Sequence, residues 1–287
     1  MSGSRSELYL SEIFSSFQGE GGTVRGSCFG KRQIFIRFLG CNLYLGDFDS
    51  WGCYWCDSPQ ARKEKNDKFH YEEKQNSQVL NNGRNPVSIF NVLQLIKNLI
   101  TPDLHSISFT GGEPLYQKEQ LLKISKHLKK EGIDYPLYLE TNGSISMNDK
   151  LIETLANYFT YCCCDIKDRS SKAASKNMYD KLLTMELDFI KKMVSRGVNT
   201  FAKLVITSDT EIEEVRFISK QLSKIQYSDG QVVALALQPA TFEKNDPWMK
   251  KSISFDHITE LFQAAATNLP IDCLTLSIQA HKFLNLL

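Results

Sequence analysis

The chain has 287 residues, enough for one large α/β domain or two small ones. Its 34 basic and 33 acidic side chains give a net charge of +1, so no bulk attraction to nucleic acid or an anionic membrane is expected. Because no apolar run suits a signal peptide or is long enough to cross a bilayer, we expect a cytoplasmic protein with reduced cysteines.

Apolar runs of strand length alternate with segments of helical periodicity along most of the chain. The predicted strands are 33–39, 106–110, 136–140, 159–166, 200–207, 232–238 and 271–278. The predicted helices include 92–100, 121–130 and 211–222, where apolar residues recur with helical spacing. This alternation predicts βα units around a parallel sheet. About six or seven units are too few for a closed eight-stranded barrel, so we predict a partial, open (βα) barrel.

One segment, residues 59–86, interrupts this alternation. It is polar, highly charged and poor in branched apolar residues. Such a composition is typical of a surface loop or a short insertion rather than of core. We therefore predict a single domain over 1–287 that carries a polar insertion at about 59–86.

Polar and glycine-rich clusters directly follow four of the predicted strands. They are TGGEP at 110–114, ETNG at 140–143, DIK at 165–167 and QP at 238–239. In a (βα) barrel the carboxyl ends of the strands form the active face. The clusters therefore predict a functional site on that face, although a solvated turn is an alternative for 165–167.

Three cysteines, Cys41, Cys53 and Cys56, lie within the stretch CNLYLGDFDSWGCYWCDS at 41–58. Two residues between Cys53 and Cys56 let both thiolates reach one metal centre, which suits zinc and iron–sulfur sites equally. A structural zinc site would need a fourth ligand, such as Cys28 or His70. Three thiolates on a four-iron cluster would instead leave one iron open to an outside ligand.

The other cysteines are predicted to be structural. Cys162, Cys163 and Cys164 follow one another in a strand, where alternate side chains point to opposite faces, so they cannot easily share one metal. Small buried core residues are the better interpretation, and it extends to Cys28 and Cys273.

Several motifs occur together along nearly the whole chain. They are EIFSSFQGEG (12–21), FIRFLGCN (35–42), CYWCDS (53–58), FTGGEP (109–114), ETNG (140–143), DIK (165–167), QP (238–239) and SIQAHKFLNLL (277–287). With these motifs the chain resembles the radical S-adenosylmethionine superfamily and, within it, the family of 7-carboxy-7-deazaguanine synthases. The sequence departs from that pattern in the eleven residues between Cys41 and Cys53, and in Ser58, where the family usually has threonine.

The resemblance implies a lyase that contracts the ring of 6-carboxy-5,6,7,8-tetrahydropterin to 7-carboxy-7-deazaguanine with loss of ammonia, in queuosine-type 7-deazapurine biosynthesis. It implies that a 4Fe–4S cluster on Cys41, Cys53 and Cys56 cleaves S-adenosylmethionine to a 5′-deoxyadenosyl radical, chemistry that belongs to the cofactor. The positions implied for binding S-adenosylmethionine are Trp55, Cys56, Asp57, Gly111, Gly112, Glu140, Asn142, Asp165, Ile166, Lys167 and Gln238.

The same resemblance implies a pterin site and a magnesium ion. Its pterin-binding positions are Phe17, Gln18, Gly19, Arg37, Thr110, His281 and Leu287, the last through the terminal carboxylate. Ser58 would supply a hard oxygen to magnesium. A strand-end ion pair is the alternative for Arg37, helix N-capping is the alternative for Ser58, and an apolar tail docked on the core is the alternative for the end of the chain.

The resemblance also implies a homodimer and a flavodoxin- or ferredoxin-type reductant. Two other functions remain open from the residues alone. One is a different radical S-adenosylmethionine enzyme, such as a glycyl-radical activase or a peptide-modifying enzyme. The other is a non-catalytic zinc-binding module.

Overall fold

A computed structural model describes residues 7–242 and 249–284 of the chain. The strands are β1 (Glu7–Leu8), β2 (Leu10–Phe17), β3 (Arg32–Phe38), β4 (Lys68–Glu72), β5 (Leu80–Arg84), β6 (Val87–Ser88), β7 (Leu104–Gly111), β8 (Leu137–Thr141), β9 (Phe159–Ile166), β10 (Asn199–Ile206), β11 (Ala234–Pro239) and β12 (Leu274–Leu276). The helices are α1 (Ile89–Leu99), α2 (Lys118–Lys130), α3 (Asp149–Ala156), α4 (Tyr179–Ser195), α5 (Ile212–Leu222), α6 (Phe255–Ala266) and α7 (Ala280–Leu284).

Ten of the strands form one sheet in the order β12-β11-β10-β9-β8-β7-β3-β2-β4-β5. From β3 through β7 to β12 every neighbouring pair is parallel, with a helix packed between successive strands of the chain for most pairs. The predicted partial, open (βα) barrel is therefore confirmed, and each predicted strand overlaps an observed one. In the predicted segment 271–278 only Leu274–Leu276 is a strand, preceded by a single helical turn.

Strand β9 shows how the sequence separates the two sides of the sheet. Cys162 and Cys164 pack in the large outer core between the sheet and the helices, whereas Cys163 packs on the inner side with Tyr138 and Phe201. This alternation follows from the two-residue period of a strand. The prediction that the triplet fills the core is confirmed.

Helix α1 illustrates why the helical segments form where they do. The Ser88 hydroxyl accepts a hydrogen bond from the Asn91 backbone N–H and so caps the first turn. Apolar residues that recur at three- and four-residue spacing then form one buried stripe along the helix: Ile89, Val92, Leu93, Ile96 and Leu99. The predicted helix 92–100 is thus confirmed with an earlier start.

The segment 59–86 differs from the predicted surface loop. It contains β4, which pairs parallel with β2, and β5, which pairs antiparallel with β4. Phe69 is buried in the outer core, and the buried Glu72 carboxylate accepts a hydrogen bond from the Ser15 backbone N–H at 2.9 Å. Phe69 and Tyr71 alternate with polar residues and pack on one face of β4, so the average composition of the segment concealed its strands.

The N-terminal part of the chain closes one side of the barrel. Strand β2 runs antiparallel to β3. The sequence analysis treated residues 12–21 only as a motif and did not predict this strand. The following segment reaches the far end of the sheet, where Gly19 accepts a hydrogen bond from the Ala280 N–H at 2.9 Å and the Gly21 N–H donates to Ser277 at 2.8 Å. In the described ranges no helix has the length and apolar character of a membrane span.

Candidate active site

A large cavity opens at the carboxyl ends of the parallel strands, with about 1380 Å³ of empty space that is partly open to solvent. Nearly all the residues that the sequence analysis selected line it. They are Phe17, Gln18, Gly19, Arg37, Cys41, Cys53, Trp55, Cys56, Asp57, Ser58, Thr110, Gly111, Gly112, Glu140, Asn142, Asp165, Lys167 and Gln238. Folding thus brings together positions as far apart in the sequence as Phe17 and Gln238.

Three selected positions do not line the cavity as described. The Ile166 side chain is fully buried in the outer core, so only its backbone could serve a ligand. His281 lies on α7, but its side chain is not described, and Leu287 falls outside the described residues. The predicted roles of His281 and of the terminal carboxylate stay predictions.

The cysteine loop is well packed although eleven residues separate Cys41 from Cys53. Cys41 and Cys53 pack against a small core that includes Leu43 and Phe48, both supplied by the long interval. The Arg62 guanidinium donates to the Cys53 carbonyl at 2.8 Å. The extra residues therefore fold into a packed loop of their own and leave the three thiols facing one cavity.

The thiols suit a four-iron cluster better than a single zinc ion. All eight cysteines are free, and burial raises the pKa of Cys41 to about 11 and of Cys53 to about 12. Thiolates at these buried positions therefore need nearby positive charge, which bound iron would provide. Because each thiolate of a cluster can bind a different iron, the three sulfurs need not converge on one point.

The fourth zinc ligand suggested by the sequence is not at this site. Cys28 packs on the inner side of the sheet with Tyr138 and Phe201, and His70 is an exposed residue of β4. Within residues 7–242 and 249–284, no group of three or more His, Cys, Asp or Glu side chains is arranged to hold one metal ion.

A buried donor beside the cysteines lacks a protein acceptor. The Trp55 indole Nε1 is buried and makes no hydrogen bond to any part of the chain that the structure describes. The Lys167 ammonium lies 4.8 Å from the centre of the same ring. A buried N–H without an acceptor is costly, so a bound molecule with acceptor groups, such as S-adenosylmethionine, fits this wall of the cavity.

Two glycines let the rim pack closely. Gly111 has a φ of +148°, and a Cβ there would lie 2.4 Å from the Phe38 carbonyl oxygen. A Cβ on Gly112 would lie 2.5 Å from the carbonyl oxygens of Gly40 and Ala61. The absence of side chains is thus required by the protein's own backbone, in addition to any approach by a ligand.

Glu113 fixes the geometry of this rim. Its buried carboxylate accepts hydrogen bonds from the Leu115 N–H at 2.9 Å, the Thr141 hydroxyl at 2.7 Å and the Asn142 N–H at 2.7 Å. Burial nevertheless outweighs these bonds and raises the pKa of Glu113 to about 7. The carboxylate therefore joins the loops after β7 and β8, a role that the sequence analysis missed.

Glu140 lies between two residues selected for the pterin. Its two carboxylate oxygens accept from the Gln18 side-chain amide at 2.7 Å and from the Thr110 hydroxyl at 3.0 Å. Burial raises the pKa of Glu140, an effect that the nearby Lys203 ammonium opposes. These hydrogen bonds place Glu140 beside Gln18 and Thr110, and its predicted contact with S-adenosylmethionine stays a prediction.

Arg37 and Ser58 are bonded to each other. The Arg37 Nε–Glu12 ion pair measures 2.8 Å, and Nη1 donates to the Ser58 hydroxyl at 2.7 Å. Arg37 therefore makes a strand-end ion pair, and its role at the pterin stays a prediction. Ser58 precedes a helical turn, but its side chain makes no capping hydrogen bond. N-capping is therefore not its role.

The DIK segment is an ion network rather than a solvated turn. Asp165 contacts the Lys167 ammonium at 3.0 Å and the Lys203 ammonium at 3.2 Å. Although burial alone would raise the pKa of Asp165, the two lysines lower it. Lys203, which also pairs with Glu20, was missed by the sequence analysis. A lysine within the apolar strand 200–207 was the signal available.

Comparisons with known proteins identify relatives that match nearly the whole chain. No protein-family model matches the chain. The chain is 34% identical over 281 residues to the 7-carboxy-7-deazaguanine synthase of Thermococcus kodakarensis, covering 98% of this chain and 99% of that protein. It is 34% identical to the synthase of the same name from Methanocaldococcus jannaschii, with coverage of 97% and 100%. The crystal structure of QueE from Escherichia coli shares the fold, with a TM-score of 0.53, 17% identity and coverage of 97% and 99%.

Proposed function

Because the chain belongs to the 7-carboxy-7-deazaguanine synthase family, we propose that it converts 6-carboxy-5,6,7,8-tetrahydropterin to 7-carboxy-7-deazaguanine with loss of ammonia. When bound, a 4Fe–4S cluster and S-adenosylmethionine supply the 5′-deoxyadenosyl radical that removes a hydrogen atom from the pterin. Identity over nearly the whole chain disfavours both a zinc-binding module and an unrelated radical enzyme. The observation that carries the proposal is that one cavity unites the three cysteines with Gln18, Glu140 and Arg37.

The protein's own contribution is to bind, orient and exclude water. Cys41, Cys53 and Cys56 are the residues that would hold the cluster, because all three face the cavity at its loop side. Trp55 would donate its unpaired indole N–H to the bound cofactor. The apolar rings of Phe14 and Phe35, which stack at 5.3 Å in the cavity wall, would limit the access of water to the reacting atoms.

The pterin would bind at the wall of the cavity formed by residues 17–19, Arg37 and Glu140. Residues 17–19 would contact the pterin edge, although the Gln18 N–H and carbonyl already bond to Lys31 and Gly30. Glu140, held by Gln18 and Thr110, offers a fixed acceptor beside them. Arg37 is already oriented by Glu12, so its guanidinium can meet the substrate carboxylate with little loss of entropy.

Magnesium would lie between Ser58 and the substrate carboxylate. The Ser58 hydroxyl donates to the Asp57 carboxylate at 3.1 Å, so a second hard oxygen lies next to the proposed ligand. We expect Ser58→Ala to lower turnover and to weaken its dependence on magnesium, while Ser58→Thr retains both. Turnover measured across a magnesium titration tests this, and an unchanged magnesium response in the alanine variant would remove Ser58 from the site.

The reductant and the assembly are further proposals. A flavodoxin- or ferredoxin-type protein would deliver the electron, and a homodimer would be the working form. The single domain over 1–287 is supported by one continuous outer core that extends from β1 to β12.

The decisive experiment is anaerobic. Reconstituted protein is incubated with the carboxypterin, S-adenosylmethionine, magnesium and a chemical reductant, and the products are followed by mass spectrometry. We expect 7-carboxy-7-deazaguanine and ammonia in the complete mixture and neither product with Cys53→Ala. Cofactor cleavage without any pterin-derived product would show that the substrate assignment is wrong.

A further inference from the structure

Glu20, in the FQGEG motif, joins three separate parts of the barrel. One carboxylate oxygen accepts from the Gln238 side-chain amide at 3.1 Å and from the Gln279 amide at 2.9 Å, and the other accepts from the Lys203 ammonium. These partners belong to β11, to the segment before α7 and to β10. The Glu20 side chain is only 14% exposed, so water competes little for these bonds.

Gln279 links Glu20 to Asp57, which directly follows Cys56 in the cysteine loop. Its side-chain Nε2 donates to Glu20 and also to the Asp57 carboxylate at 3.1 Å. An amide NH₂ has two donors, and both are used here. Asp57 in turn accepts from the Ser58 hydroxyl, whose oxygen accepts from Arg37. A chain of hydrogen bonds thus runs from Glu20 to the arginine proposed to bind the substrate carboxylate.

Lys203 provides a fixed positive charge at the Glu20 end of this series of hydrogen bonds. Burial would lower the pKa of Lys203, but the carboxylates of Asp165 and Glu20 raise it well above its usual value. Lys203 therefore stays positive throughout the physiological range. Because Glu20 accepts from this fixed charge, its carboxylate is held in one orientation toward Gln279.

We propose that Glu20 is a positioning residue that acts through Gln279, ordering the C-terminal segment and aligning Asp57, Ser58 and Arg37 for the carboxypterin. The proposal rests on the proposed function for its substrate. It concerns pterin binding and not the cluster, because neither Glu20 nor Gln279 hydrogen-bonds to Cys41, Cys53 or Cys56 in the part of the chain that is described.

The test uses Glu20→Gln in the reconstituted full chain. Losing a hydrogen bond to a charged group costs enough to weaken binding about tenfold or more, so we expect KM for the carboxypterin to rise by about that factor. Iron content should stay at the wild-type value, and S-adenosylmethionine cleavage without pterin should change by a smaller factor than KM, because Glu20 also hydrogen-bonds to Gln238. The matched control is Asp229→Asn, which removes a carboxylate paired with Arg25 at 2.6 Å outside the cavity and should change none of these quantities.

A second variant checks the direct contact. Gln279→Glu places a carboxylate against Glu20 and Asp57, and we expect a larger rise in KM than for Glu20→Gln. The double variant Glu20→Gln/Gln279→Glu should recover part of the loss, since the new amide can donate to the new carboxylate. If the rise in KM of the double variant equals the combined effects of the two single variants, the proposed contact between Glu20 and Gln279 is contradicted.

Hydrogen exchange provides a readout that needs no substrate. In Glu20→Gln the backbone amides of Ser277 and Ala280, which bond to Leu237 and Gly19, should exchange faster than in wild type. Unchanged exchange with unchanged KM overturns the proposal, as does a parallel loss of iron, cofactor cleavage and pterin turnover. If the wild-type protein fails to convert the pterin, the proposed function falls, whereas the exchange result still decides the ordering role of Glu20.

Discussion

At the scale of single residues, the cavity is lined by partly buried polar groups whose hydrogen-bond partners are other cavity residues. Glu140 is oriented by Gln18 and Thr110, and Asp165 by Lys167 and Lys203. Such groups are preorganised, because the cost of fixing them is met during folding and not when a ligand binds. Single substitutions should therefore affect binding and turnover more than stability.

The cysteines give the clearest residue-scale prediction. Cys53→Ala should abolish the brown iron–sulfur chromophore and cofactor cleavage, because three thiolates are the proposed ligands. Cys162→Ala is the control, since that side chain is a free, fully buried thiol that packs in the outer core, away from the cavity. Visible absorption and iron analysis after anaerobic reconstitution measure both. A full iron complement in Cys53→Ala would refute the ligand assignment.

At the scale of elements, the hairpin of β4 and β5 extends the sheet beyond the barrel core. Its polar composition suggested a loop, yet Phe69 is 4% exposed and its ring packs over Gly83 on the partner strand. An aromatic side chain facing a strand glycine fills the space that the glycine leaves. The hairpin is thus part of the folded core and not an appendage.

Phe69→Ala tests this directly. We expect a loss of about 3–5 kcal/mol in the free energy of unfolding, the usual cost of removing a buried phenylalanine ring. His70→Ala, on the opposite and exposed face of the same strand, should change stability by less than about 0.5 kcal/mol. Urea denaturation of the cluster-free proteins gives both values. Equal effects for the two variants would mean that the hairpin contributes no core.

At the scale of the whole molecule, buried carboxyl groups link stability to pH. The pKa of Glu113 is raised from 4.5 to about 7 by burial. The pKa of Glu113 is therefore higher in the folded state than in the unfolded state. Its stabilising contribution to the free energy of unfolding is fully present below about pH 4.5 and is lost as the pH rises through 7. The buried Glu186 on α4, whose pKa burial raises well above its usual value, acts in the same direction.

This linkage predicts a difference between wild type and Glu113→Gln in the cluster-free protein. As the pH rises from 4.5 to about 8, wild type should lose on the order of 3 kcal/mol of unfolding free energy relative to the variant. Glutamine does not titrate. All other titratable groups are common to both proteins, so their contributions cancel in the difference. Urea unfolding at several pH values measures the difference, and a pH-independent gap would mean that Glu113 titrates normally.

The sequence by itself determined the class of fold and the positions of most cavity residues. Strand and helix periods are local properties, and motifs such as FTGGEP and ETNG directly follow strands, so their place on the active face follows from barrel geometry. The alternation of Cys162, Cys163 and Cys164 between two cores was likewise readable from the strand period.

Only the tertiary structure decided which of these residues contact one another. Glu20, Lys203 and Gln279 lie far apart in sequence, and no local pattern shows that one carboxylate joins them. The same holds for Glu140, whose partners come from β2 and β7, and for the hairpin at 68–84, whose burial depends on pairing with β2. Contacts of this kind depend on the register between distant strands, which is set by packing the whole sheet against its helices.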